Sequence, residues 1–208
     1  MNILCLDLEG VLIPEIWVGV AEATGLGDLK LTTKDIPVYR ELMKTRLRII
    51  EEHNIGMNLI QDVIAHMSPF PGASAFLNWA RNYFQVAIIS DTFYEFAQPL
   101  MSELGWPMLL CHKLDVTNNR ITGYRLRQED PKRHSIKAFQ GLNYKVFAAG
   151  DSFNDIPMLE EADQGFFFAA SDSIQKQYPY FKNANNYSEL QKLLLKALER
   201  VVDLPSPP

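Results

Sequence analysis

Five short, mostly apolar runs, none of them carrying a charge, recur along the chain: Ile3–Leu6, Val86–Ser90, Met108–Cys111, Val146–Ala149 and Gly165–Phe168. Each is too short for a helix and lacks polar alternation, so each reads as a strand covered on both faces, the condition of a parallel sheet. Amphipathic stretches of helical period lie between most of them: "GASAFLNWARNY", "YEFAQPLMSELG", "HSIKAFQGL" and "IPMLEEA". This alternation restricts the chain to the α/β class, with a mostly parallel, Rossmann-like sheet and helices on both faces. The stretch "YSELQKLLLKALERVV" reads as a last helix with Ser188 at its N-cap. The "LPSPP" that follows reads as disordered.

Two segments break the alternation. Between Leu12 and Phe70 no strand pattern occurs; helices are expected over Glu15–Thr24, ended by Gly25, over Pro37–His53, ended near Asn54–Gly56, and over Leu59–Met67, ended before Pro69 and Pro71. An insert of this kind after the first strand is a candidate lid. In "LDVTNNRITGYRL", Asn118–Asn119 separate two alternating stretches, a β-hairpin signal. The expected division is a core of residues 1–12 and 72–203, a helical cap of 13–71 and a disordered tail of 204–208.

A chain of 208 residues with a net charge of −5 has no general electrostatic pull toward nucleic acid or anionic membranes. Any phosphate binding must therefore come from a local site. No window resembles a membrane span or signal peptide, and Cys5 and Cys111 sit in apolar runs without metal-binding spacing. A cytoplasmic protein with buried free thiols is expected.

The acidic residues carry the functional signal. The first strand runs into Asp7 and Glu9, two apart, which in extended backbone point to one side. Ligands of open α/β sheets bind at the carboxyl ends of strands, and two like charges there call for a cation; hard oxygen donors favour Mg²⁺. Two solvated acids on a surface turn would be the plainer explanation. The second strand ends in Ser90, Asp91 and Thr92, where a hydroxyl and backbone N–H groups suit a phosphate or simply cap the next helix. The fourth ends in "GDSFND": Gly150 permits a tight turn, Asp151 would meet the first acidic pair at the metal, and Asp155 would support or cap. Lys132, in "DPKR", precedes a helix and could offset phosphate charge, or merely be solvated. His53, His66, His112 and His134 have no triad or metal spacing and are read as structural.

Taken in this order, Asp7 and Glu9, Ser90, Lys132 and Gly150–Asp155 resemble the signature of the haloacid dehalogenase-like phosphatase superfamily. The helical insert looks like the cap of phosphoserine phosphatases. The words "DLEGVLIPEIW", "SDTFYEFAQPLM", "LLCHKL" and "DPKR" resemble the bifunctional group that also transfers phosphate from phosphoserine to homoserine. Glu9 stands where most phosphatases of the superfamily have aspartate, and that group carries glutamate there.

The resemblance implies a Mg²⁺-dependent enzyme of amino-acid biosynthesis. Asp7 would be the nucleophile, forming an aspartyl-phosphate. Glu9 would be the general acid and base, and Asp7, Glu9 and Asp151 the metal ligands, Glu9 by side chain or backbone. Ser90, Asp91, Thr92 and Lys132 would hold the phosphate, and Asn154 the substrate. From the cap, Glu15 suits the ammonium of L-phosphoserine and Arg46 its carboxylate, although both could be surface charges. Water or homoserine would accept the phosphoryl group, and the protein would be a monomer or homodimer. Competing readings are a phosphatase for a nucleotide or sugar phosphate, and a receiver-type phospho-acceptor domain.

Overall fold

The computed structural model describes residues 1–32, 35–36 and 38–202. The expected disordered segment 204–208 lies outside the described residues, as does Pro37, the expected start of the second cap helix. Seven strands form one sheet in the order β4-β3-β2-β1-β5-β6-β7. They are β1 Asn2–Leu6, β2 Gln85–Phe93, β3 Met108–Thr117, β4 Arg120–Arg125, β5 Lys145–Gly150, β6 Gln164–Phe168 and β7 Lys182–Ala184. Every neighbouring pair is parallel except β3 and β4.

The apolar runs of β1, β2 and β5 have the two-sided burial expected of them, whereas on β3 Met108 is exposed and Leu109 and Leu110 are only partly covered. On β1, Leu4 and Leu6 join one core with Phe76, Leu77 and Leu194, while Ile3 and Cys5 join a second with Ile136, Met158 and Leu159. The first core is covered by α4 (Ala73–Ala80) and α9 (Tyr187–Val202), the second by α6 (Pro131–Gly141) and α7 (Ile156–Glu161). Cys5 and Cys111 are both free and buried.

Between β1 and α4 lie α1 (Ile16–Thr24), α2 (Tyr39–Glu52) and α3 (Met57–Ala65). Gly25 ends α1 at φ 72°, the left-handed conformation that costs glycine least. Helix α3 packs on α5 (Tyr94–Met101), and Ile16, Val20, Ile60 and Ile64 belong to the first core. Among the described residues, no helix is long and apolar enough to cross a membrane.

The hairpin turns at Asn118 and Asn119, both left-handed at φ 49° and 65°, which is the two-residue turn that matches strand twist. Its tip also explains why α3 starts before the expected Leu59. Asn119 accepts the Met57 N–H on its carbonyl (2.8 Å) and the Asn58 N–H on its side chain (2.7 Å), capping α3 from a distant part of the chain. At the last helix the cap is Asn186, whose side chain accepts the Glu189 N–H at 3.0 Å; Ser188 lies one residue inside the helix. The short α8 (Asp172–Gln177) and β7 were not anticipated, since "KNA" at a sheet edge carries no apolar run.

Candidate active site

The central strands β2, β1 and β5 deliver three acids to one end of the sheet. Asp7 follows β1 directly, its N–H bonded to the Ala149 carbonyl at 3.0 Å and its Oδ1 accepting the Leu8 N–H at 2.8 Å. Its turn depends on Gly10, at φ +80°, where a Cβ would sit 2.6 Å from the Asp151 carboxyl. The missing side chain lets the acid from β5 pack against the loop from β1. Gly150 does the same for Asp155, whose carboxyl fills the space a Cβ would take. Asp155 then accepts the N–H groups of Asp151 and Ser152, each at 3.0 Å, closing a capping box with Ser152.

Lys132 enters from α6 behind Asp130, which adopts φ 42° ahead of Pro131. It is 2% exposed, and its Nζ lies 2.6 Å from Asp155 Oδ1, 3.1 Å from Asp7 Oδ1 and 3.9 Å from Asp91 Oδ2. Burial opposes its charge, but Asp155, Asp7 and Asp91 outweigh that and hold it firmly protonated. The Asp7 carboxyl is pushed well above its usual range by burial and by the charges of Asp155, Asp151 and Asp91, against the pull of Lys132. Burial also works to raise Asp91, yet Lys132, together with hydrogen bonds from His112 and Asn154, brings it down to about 2.

Strand β2 continues past Ser90 to Phe93, but its pairing with β3 jumps from Ile89–Leu110 to Phe93–His112. Ser90, Asp91 and Thr92 therefore bulge from the ladder, the local device that re-aims backbone beside sites. Ser90 Oγ accepts the Thr92 N–H at 3.2 Å. Asn154 donates to Asp91 Oδ2 at 3.0 Å and accepts from the Ser152 hydroxyl.

Glu9 goes elsewhere. Strand β1 stops at Leu6, so the period-two relation between Asp7 and Glu9 ends with it. The Glu9 carboxyl meets Glu15, Thr92 and Arg46, and it accepts the Ile16 N–H at 3.4 Å. Burial first, then the neighbouring Glu15 carboxylate, raise it to about 8. Glu15 stands exposed at the N-cap of α1. Arg46, on α2, is 7% exposed; it donates to the Leu31 carbonyl at 2.8 Å and lies 4.9 Å from the Trp17 ring centroid. Among the described residues its Nε–H has no hydrogen-bond partner. Arg48 points away, paired with Glu52 on the exposed face at 2.8 Å.

These groups line one cleft, with about 720 Å³ of empty space partly open to solvent, from Asp7, Asp151 and Ser90 on the sheet to Glu15, Trp17 and Arg46 on the helical segment. Tyr39 also lines this cleft although the sequence did not single it out, and His112, read from the sequence as structural, stands behind Asp91 on the side of an adjoining cavity. Tyr39 OH donates to the Asp91 carbonyl at 2.8 Å, and His112 Nε2 lies 3.5 Å from Asp91 Oδ1. No local spacing signals either contact, because each joins different elements. Oxygens of Asp7, Asp151 and Asp155 approach within 4.8 Å of one another. With both Asp155 oxygens engaged by Lys132 and backbone amides, Asp7 and Asp151 are the carboxylates best placed to hold a hard cation. The upward push on Asp7 is what such a cation would relieve.

Residues 1–163 match the family described as haloacid dehalogenase-like hydrolase. The chain is 53% identical over 205 residues, 98% of this chain and all of the relative, to the phosphoserine phosphatase ThrH of Pseudomonas aeruginosa. It is 52% identical over 202 residues, 96% of this chain and 85% of the relative, to a phosphoserine phosphatase of Pseudomonas syringae pv. tomato. In fold it is similar to a phospho-aspartyl intermediate analogue of phosphoserine phosphatase, with a TM-score of 0.78, 17% identity, and coverage of 92% of this chain and 98% of the other. An acid-terminated central strand, a buried lysine among carboxylates and this match over most of the chain lead to one conclusion: the chain belongs to the haloacid dehalogenase-like hydrolase family.

Proposed function

We propose that this protein is a Mg²⁺-dependent phosphoserine phosphatase that works through an aspartyl-phosphate on Asp7 and also passes the phosphoryl group to homoserine. The observation that carries the substrate class is Arg46: a buried guanidinium on the cleft wall whose Nε–H has no partner among the described residues, with Glu15 lining the same cleft. An unpaired buried donor is costly. A carboxylate is the acceptor that suits it, and a nearby acid suits the ammonium of the same amino acid. The names of the Pseudomonas relatives support this reading.

In this reading residues 13–71 act as the cap. Lys132, Ser90 and the bulged backbone at Asp91 and Thr92 hold phosphate oxygens, and Asn154 steadies that loop through Asp91. Asp7 attacks phosphorus, and Glu9, raised to about 8 and so largely protonated at neutral pH, gives its proton to the departing serine oxygen. The deprotonated Glu9 then takes the proton of water or of homoserine as it attacks the aspartyl-phosphate. Mg²⁺, held by Asp7, Asp151 and the Glu9 backbone carbonyl, would supply positive charge that offsets the transferring group. The Glu9 side chain is committed to Glu15, Thr92 and Arg46, which leaves its backbone as the ligand it can offer.

The test is phosphate release from L-phosphoserine, with and without homoserine, set against nucleotide and sugar phosphates, with Mg²⁺ and with excess chelator. The proposal expects phosphoserine to be preferred, homoserine to divert phosphate into phosphohomoserine, and chelator to stop the reaction. Preference for a sugar or nucleotide phosphate overturns the substrate assignment; full activity in chelator overturns the metal.

A further inference from the structure

We propose that His112 is a positioning residue for phosphoryl transfer, holding the Asp91 carboxylate in the orientation that serves Lys132 and Asn154 together. The inference rests on the reading of Asp7 and Lys132 as the phosphoryl-transfer pair.

His112 lies on β3 and is 2% exposed. Its Nδ1 accepts the backbone N–H of Arg127 at 3.2 Å. A backbone amide can only donate, so Nδ1 must carry a lone pair, and the ring proton of the neutral imidazole is then on Nε2. Nε2 faces Asp91 Oδ1 at 3.5 Å. The other oxygen, Oδ2, takes Asn154 at 3.0 Å and faces Lys132 at 3.9 Å. The main-chain carbonyl of Asp91 takes the Tyr39 hydroxyl at 2.8 Å. Each oxygen of Asp91 thus has its own partner, from three different parts of the chain. The imidazole is itself gripped by Tyr39 and Phe93, with ring centroids 5.8 and 6.2 Å away.

A second route joins His112 to the same lysine. The Arg127 guanidinium donates to the Pro131 carbonyl at 3.0 Å and to Ser135 Oγ at 2.6 Å, tying the loop that His112 holds to the first turns of α6, which carries Lys132. Without a donor on Oδ1, the Asp91 carboxylate is free to turn both oxygens toward Lys132. It would then compete with Asp7 for the ammonium that lies 3.1 Å from the nucleophile. A histidine that merely filled space would have neither a fixed tautomer nor this consequence.

The test compares His112→Gln, His112→Asn and His112→Phe, assayed on L-phosphoserine and on p-nitrophenyl phosphate. A glutamine amide reaches the place of Nε2, whereas an asparagine amide ends near Nδ1 and cannot donate to Asp91. Asn and Phe should each lower kcat by roughly tenfold on both esters with KM changed less than about twofold, and Gln should recover kcat to within about threefold of wild type. Equal losses in all three variants, or a loss confined to KM or to phosphoserine, overturn the role of His112. Should the variants fail to fold, the nitrogen chemical shifts of His112 in the labelled wild-type protein decide: a proton on Nε2 and a lone pair on Nδ1 are expected, and a proton on Nδ1 overturns the proposal. A wild type that hydrolyses neither ester overturns the phosphatase reading itself, an outcome distinct from an active wild type with three equally damaged variants.

Discussion

Lys132 and Arg46 are both buried beside one cleft, at 2% and 7% exposure, yet their surroundings differ in kind. The Lys132 ammonium is ringed by Asp155, Asp7 and Asp91, all within 3.9 Å. Arg46 has one carbonyl, an aromatic face and the attraction of the Glu9 and Glu15 carboxyls, and among the described residues its Nε–H has no acceptor. Burial of a cation is tolerable only where its hydrogen bonds are met. The lysine meets that condition within the fold, and on the proposed reading it is the fixed cation that faces the phosphoryl group. Among the described residues the arginine's Nε–H does not meet it, and on the proposed reading a substrate carboxylate would. On that reading the sheet side of the cleft is balanced by its own residues, and the helical side recognises the amino-acid end of the substrate.

That contrast can be broken at either end. The largest effect is expected on the sheet side: Asp7→Asn should abolish phosphate release, because an amide cannot form an acyl phosphate. Near-normal turnover in a steady-state assay would remove Asp7 as nucleophile. Next is Lys132→Met, which leaves Asp7 and Asp155 buried without their shared cation. It should lower kcat by roughly 10²–10³-fold and cost about 3–5 kcal/mol of stability by urea denaturation. If stability is unchanged, the lysine is not the keystone of the acidic cluster.

Arg46→Ala should act differently from both. Losing a charge-assisted contact costs about 1.5–3 kcal/mol, so kcat/KM for phosphoserine should fall roughly ten- to a hundred-fold while p-nitrophenyl phosphate, which has no amino-acid group, is hydrolysed almost as before. Equal losses on both esters would move Arg46 from substrate recognition to folding and erase the contrast with Lys132.

The smallest effect is on acid stability. Asp91 is held down to about 2 in the fold, so it favours the native state above the unfolded carboxylate range and loses that contribution as pH falls through its own titration. The depression is worth about 2 kcal/mol between roughly pH 4 and pH 2. Asp91→Asn should flatten the fall in unfolding free energy over that window. A variant as steep as wild type would mean that the lysine is balanced by Asp7 and Asp155 alone.

The sequence by itself determined the parts of this protein that follow from contiguous residues. Runs such as Ile3–Leu6 and Val146–Ala149 are apolar without interruption because both faces of the sheet are covered, and that fact is written along the chain. Asn118–Asn119 could be read as a turn because left-handed backbone favours asparagine locally. Asp7, Ser90 and Asp151 could be read as candidate site residues because strand ends deliver side chains to one edge of a parallel sheet, whereas Lys132, on α6, joined them only through the resemblance of the motif order. The tertiary structure alone decided what depends on neighbours remote in sequence. Whether Glu9 faces Asp7 turned on where β1 stops, and its carboxyl joins Glu15, Thr92 and Arg46 instead. Asn119 caps α3 across 61 residues, and Tyr39 reaches Asp91 across 52. His112 looked like a core histidine because nothing beside it in the sequence reveals that Arg127 claims one ring nitrogen and so aims the other at Asp91. Spacing along a chain records periodicity, whereas a hydrogen bond between separate elements exists only once packing has brought donor and acceptor within reach.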